Sequence, residues 1–118
     1  MNEQIQNPIV KWPFGDASVA VLTASGDQNV DVYNNLTVVD GASVIATAAR
    51  TLNLTISPTV TVGARLIVKT KTTATESLTC GTGVTGVATV GVAGKTKVAE
   101  YVYDGVNFIQ TAAAVQID

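Results

Sequence analysis

The sequence predicts an all-β domain, and three observations carry that prediction. Apolar and polar residues alternate with a period of two in short runs, most cleanly in TLNLTI (51–56). β-Branched residues fill those runs, and Gly, Asn, Asp and Pro punctuate them at short intervals. Near the C-terminus, VAEYVYDGVNFIQTA (98–112) places β-prone residues on both sides of Asp104-Gly105, a strong hairpin signal. The expected architecture is a single antiparallel β-sandwich or jelly-roll-like barrel over residues 18–118, preceded by an extended arm over residues 1–17.

The arm is polar and carries Pro8 and Pro13, which interrupt helix and sheet ladders alike. It also holds the single tryptophan, Trp12, two residues before Phe14. These large apolar groups dock either against the body of the same chain or against a neighbouring subunit. Strands are expected at VAVLT (19–23), VDVY (30–33) and LTVVD (36–40), the last ending at Gly41, with turns at ASGDQN and Asn34-Asn35. The run 42–50 mixes alanines with Ser43, Val44, Ile45 and Thr47, and reads as irregular or extended. In 51–56, Leu52, Leu54 and Ile56 share one face, and Thr51, Asn53 and Thr55 the other. After Ser57-Pro58 a strand follows from about residue 64 to 70, with Leu66 and Val68 opposite Arg65, Ile67 and Lys69. SLTC (77–80) is a short strand, and the Gly-rich stretch after it reads as tight turns and bulges.

The hairpin admits two registers. A two-residue loop pairs Tyr103 with Val106, whereas a four-residue loop, 104–107, pairs Tyr103 with Phe108 and Val102 with Ile109. The faces are the same in both. Ala99, Tyr101, Tyr103, Phe108 and Gln110 lie on one, and Val98, Val102 and Ile109 with Glu100 on the other. Neither face is plainly polar. The aromatics therefore pack in the core, meet another subunit, or offer a stacking platform to a sugar.

Composition narrows the function. The 118 residues are 47% hydrophobic but only 5% aromatic, so the core is built from small aliphatic groups and would gain from oligomerisation. Net charge is −2 and the pI about 4.9, leaving no basic face for nucleic acid. Lys69/Lys71 and Lys95/Lys97 read as solvated strand faces. The N-terminus has no signal-peptide pattern, and no apolar run reaches the roughly 18 residues of a membrane span. The expected setting is therefore a cytosol, with no membrane.

Enzyme chemistry finds few candidates. Without histidine there is no Ser-His-Asp or Cys-His arrangement, and with one cysteine, Cys80, there is no internal disulfide and no zinc site. Cys80 reads as a small buried hydrophobe. The glycines fit neither a dinucleotide fingerprint nor a phosphate loop. The acids of SGDQNVDVYNN (25–35) lack the spacing and closing Glu of a calcium loop. No catalytic residue, cofactor or metal is expected.

Residues 49 to 118 resemble small β-modules of tailed-phage virion proteins, of the capsid-decoration and head-fibre type found in crAss-like phages. The resemblance lies in ARTLNLTI, GARLIVK, the strand ending in GTG, the GKTKV lead-in and the YVYDGVNFI hairpin. It implies a non-enzymatic virion component on the capsid exterior, made in the bacterial host cytoplasm, that forms a homodimer or homotrimer. It further implies that Tyr101, Tyr103, Asp104, Gly105 and Phe108 are structural, and that the segment before the match provides attachment to a capsid or fibre protein; Trp12 and Phe14, large apolar groups in a proline-flanked polar arm, are the expected anchors. The alternative is a carbohydrate- or receptor-binding module, with a host glycan stacked on Tyr101, Tyr103 and Phe108.

Overall fold

A computed structural model describes residues 17–118, and within them the fold is all-β. The first six strands are β1 (Ala17–Val21), β2 (Gly26–Val32), β3 (Leu36–Ala46), β4 (Arg50–Ile56), β5 (Arg65–Thr72) and β6 (Ser77–Cys80). They alternate between two sheets. β1, β3 and β5 lie side by side in one, and β2, β4 and β6 in the other. Every neighbouring pair within these two triplets is parallel. The chain thus winds as a coil of three turns, each turn laying one strand in each sheet.

This corrects the antiparallel expectation. Parallel neighbours need a crossover connection, usually a helix. Here the crossover between β1 and β3 is β2 itself, lying in the opposite sheet. The connections at 22–25 and 33–35 look like hairpin loops by length and composition, yet each turns the chain across the core instead of back alongside itself.

The last five strands close the coil. They are β7 (Val84–Thr85), β8 (Thr89–Val90), β9 (Thr96–Tyr103), β10 (Phe108–Gln110) and β11 (Val115–Gln116). β9 runs antiparallel to β5 and carries β10 and β11 on its other side, while β8 runs antiparallel to β6. Long sheet edges left bare invite unwanted pairing; at this end of the coil the sheets finish in the two-residue strands β7 and β8.

The two sheets share one core. From the first come Val39, Leu66, Val68, Ala99, Tyr101 and Phe108; from the second come Val30, Val32, Leu52, Leu54 and Leu78. The expected faces of 51–56 and of β5 are those observed, with Ile56 only partly buried. One segment differs from expectation. Gly26 to Asn29, read as a turn, belongs to β2, because Gln28 is buried and bonds back to the preceding corner. Its Nε2 donates to Thr23 Oγ1 (2.8 Å) and to the Ser25 carbonyl (3.0 Å), and its Oε1 accepts from Thr23 N (2.8 Å).

The run 42–50 is irregular or extended, as expected. β3 continues past Gly41 to Ala46, but its register on β5 jumps between Gly41 and Ala46, so 42–45 swell out as a bulge. Two polar side chains hold this bulge. From outside, the Asp40 carboxylate accepts from Ala42 N (2.9 Å), Ser43 N (3.0 Å) and Ser43 Oγ (2.5 Å). From inside, Arg50 reaches the Gly41 and Val44 carbonyls. Gly41 itself leaves room for that contact, since a Cβ there would lie 2.7 Å from the Lys69 carbonyl oxygen and 3.1 Å from Arg50 Nη2.

Among the described residues Arg50 is the largest side chain that is fully buried, at 1% exposure. Nη1 donates to the carbonyls of Thr23 (3.0 Å) and Val44 (3.3 Å), and Nη2 to the Gly41 carbonyl (3.0 Å) and Thr70 Oγ1 (2.6 Å). Among the described residues no carboxylate touches it. Burial pushes its pKa down, partly offset by Glu76 acting through space, but a guanidinium remains charged in a protein.

Two predictions follow from the bulge. Arg50→Met keeps much of the bulk but strands four acceptors. It should cost about 2–4 kcal/mol, read as a lower urea midpoint at unchanged slope. Arg50→Lys should restore only part, because an ammonium cannot reproduce the planar fork. Asp40 has a pKa lowered to about 2 by its bonds to Ser43 and Ala42. A depressed carboxylate stabilises the fold fully above its ordinary range and loses that contribution as the pH falls toward the folded value. Thermal unfolding followed from pH 5 down to 2 should therefore show a fall that Asp40→Asn makes shallower.

Candidate functional site

The hairpin adopts the four-residue loop. Phe108 pairs with Tyr103, Ile109 with Val102 and Gln110 with Tyr101. The Asp104 side chain selects this loop. Its Oδ1 accepts from Val106 N and Asn107 N, both at 2.8 Å, while Asp104 N donates to the Asn107 carbonyl at 3.0 Å. These donors hold its carboxyl below the usual range. Gly105 takes φ 101°, a conformation glycine adopts without strain.

The inner face of this hairpin is core. Phe108 is fully buried and Tyr101 is 2% exposed. Tyr103 is half-buried, its ring tilted by 31° on Phe108 at 5.0 Å between centroids, and its hydroxyl donates to the Gly105 carbonyl. The Tyr101 hydroxyl lies 3.7 Å from Cys80 Sγ. Burial, with Cys80 second, pushes its pKa up, so the phenol stays neutral. Cys80 is partly buried at the end of β6, packed against the core.

The structure thus brings Tyr101, Tyr103 and Phe108 together, but within the chain's own packing. Neither Tyr101 nor Phe108 presents a ring face to solvent, so in this fold they form no stacking platform. Trp12 and Phe14 lie outside the described residues.

The chemistry available elsewhere is sparse. Among the described residues no three of His, Cys, Asp and Glu gather as a metal site. Asp27, Asn29 and Asp31 stand on the outward face of β2, alternate positions of a strand and not a loop. A groove of about 500 Å³ lies between segments 86–90 and 110–114. Its charged residue, Lys97, donates to the Val90 carbonyl at 2.7 Å, and its Gln110 side chain bonds to Val87 N and the Ala112 carbonyl. Those polar groups hold the groove's own backbone. Of the expected lysine pairs, Lys69 and Lys71 are on β5, but Lys95 belongs to the turn before β9.

Two features lie outside the sequence reading. One is the buried Arg50, whose only sequence signal is a cation closing a run of small residues. The other is the outward face of the first sheet, where exposed Val19 and Val21 stand beside Asp40, Arg65, Lys69 and Glu100. Its signal is that VAVLT and LTVVD carry apolar residues at adjacent positions, which cannot all point inward.

Compared with family models, curated proteins and solved structures, the chain finds no match in any of the three.

Phe108→Ala removes a fully buried ring that its neighbours cannot replace. It should cost about 3–5 kcal/mol by denaturant titration, whereas Tyr103→Phe, losing one exposed hydroxyl bond, should stay within about 1 kcal/mol.

Proposed function

We propose that this protein is a non-enzymatic structural component of a bacteriophage virion: a capsid-surface decoration or head-fibre subunit that homo-oligomerises and attaches through its N-terminal arm. The observation that carries this reading is the role of the YVYDGVNFI hairpin. Its resemblance to phage virion modules implies aromatics that build the module, and in this fold Tyr101 and Phe108 are core. A coil closed by antiparallel strands also suits a part that must persist outside a cell, since its backbone ladders run from one turn to the next. The lone cysteine sets no demand for an oxidising compartment.

The binding-module alternative loses its platform to the same burial. Attachment then falls to the arm. As β1 begins at Ala17, removing residues 1–16 leaves every described strand intact. Trp12 and Phe14 are the proposed anchors, because large apolar groups in a polar segment gain most from a pocket on a partner.

The test is reconstitution on phage particles. The chain lacking residues 1–16 should fold with unchanged circular dichroism yet fail to sediment with capsids. The double change Trp12→Ala and Phe14→Ala should reduce occupancy at least about tenfold, as expected for losing two anchors worth over 1 kcal/mol each. A truncated chain that still decorates particles would remove the arm from the proposal.

A further inference from the structure

We infer that the groove between segments 86–90 and 110–114 receives Trp12 and Phe14 from a second copy of this chain, so that copies join head to tail. The groove has a structural cause. Gln110 pairs with Tyr101 and Val115 with Val98, so four residues, 111–114, stand opposite two, 99 and 100. The surplus bows away from β9. Across the gap, 86–90 leaves β7 in the first sheet for β8 in the second, and these two-residue strands fill little of the space. The hollow measures about 500 Å³, the size of sites that bury a compact apolar group.

The lining says what fits. Val87, Ala88, Val90, Ala112, Ala113 and Ala114 are small and apolar. Val87 is 78% exposed and Val90 54%, so nothing within the described fold covers them. The polar side chains beside them are already engaged. Lys97 Nζ donates to the Val90 carbonyl, Thr111 Oγ1 to the Glu100 carbonyl, and the Gln110 amide bonds to Val87 N and the Ala112 carbonyl. A hollow walled by small side chains, with no charge to spare, is filled best by large neutral rings. Tyr101, Tyr103 and Phe108 are spent in the hairpin core, and the Tyr33 hydroxyl would be left unpaired in such a lining. Trp12 and Phe14 remain, two residues apart in the chain ahead of β1.

Reach decides between the same copy and another. Ala17 lies in one row with Leu36, Arg65, Val102 and Ile109, four strand steps across the first sheet. At about 4.8 Å a step, that is roughly 19 Å to the nearer wall of the groove. Phe14 is three residues from Ala17 and Trp12 five, at most about 10 and 18 Å of extended chain. A straight arm brings Phe14 only about halfway, so the two rings cannot share the groove of their own chain. The groove of another copy sets no such limit. Arm and groove are different patches at opposite sides of the first sheet, so the contact repeats from copy to copy and leaves one arm free for a capsid.

This rests on the role of the arm in the virion proposal and names one partner for it, and its test needs no capsid. The single tryptophan makes the contact readable. Light scattering on the full chain, from micromolar to hundreds of micromolar, should show masses rising in multiples of 12.1 kDa. Trp12 emission should move to shorter wavelength in step. Two variants should each stay monomeric with unchanged circular dichroism. Trp12→Ala with Phe14→Ala keeps the groove, whereas Ala113→Glu keeps the arm and fills the groove from an exposed position. Mixed, they should form a one-to-one pair and nothing larger, with the emission of the Ala113→Glu chain shifted. Should Ala113→Glu fail to fold, Val87→Glu blocks the opposite wall. Wild type that stays monomeric throughout overturns the inference, as does Trp12 emission unchanged by dilution. A folded groove variant that assembles like wild type, or a mixture that never pairs, overturns it too. Monomers that still sediment with phage particles remove the groove and leave the virion reading standing, and an array that never joins particles does the reverse.

Discussion

The fold depends on one buried cation. Arg50 opens β4 in the second sheet, and its guanidinium donates to the first corner at Thr23, to the bulge of β3 at Gly41 and Val44, and to β5 at Thr70. These four contacts span all three turns of the coil. Burying a charge without an opposite charge beside it is costly unless dipoles replace water around it. Here backbone carbonyls do so, and they come from the places where the chain departs from regular strand and would otherwise leave acceptors unpaired. The cation and the bulge therefore require each other. Asp40 holds the same bulge from its solvent side, so the segment is bound on both faces.

The other corners follow the same rule with neutral or acidic side chains. Gln28 closes the corner at 22–25. Asn35 ties the corner at 33–35 to the later one, through Thr61 N and Thr61 Oγ1. Glu76 accepts from Ala74 N and Thr73 Oγ1, and Asp118 from Thr96 N. A coil this short has little apolar volume, so exact placement of its turns must come from hydrogen bonds that a slipped register would break. That accounts for a Thr-rich sequence whose Asn, Asp and Gln side chains fall at the corners.

The hairpin aromatics complete the core at the closed end of the coil, where small aliphatic residues would leave space. Among the described residues, the outer side of the second sheet is a polar ladder, and that of the first sets valines beside Asp40, Arg65, Lys69 and Glu100.

Period-two alternation in the sequence alone determined that the chain is all-β, and which residues of 51–56 and of β5 share a face, because that period belongs to the strand itself. The Asp104-Gly105 pair located the hairpin, although the four-residue loop was one of two registers until Asp104 could be seen bonding Val106 N and Asn107 N. Tertiary structure alone decided the parallel coil. A strand's sequence says which side faces the core, but not which strand lies beside it, and a corner of three or four residues can turn toward either sheet. It alone placed Arg50 inside as well, since the four acceptors that make its burial tolerable come from residues 23, 41, 44 and 70 and meet only when the turns of the coil stack.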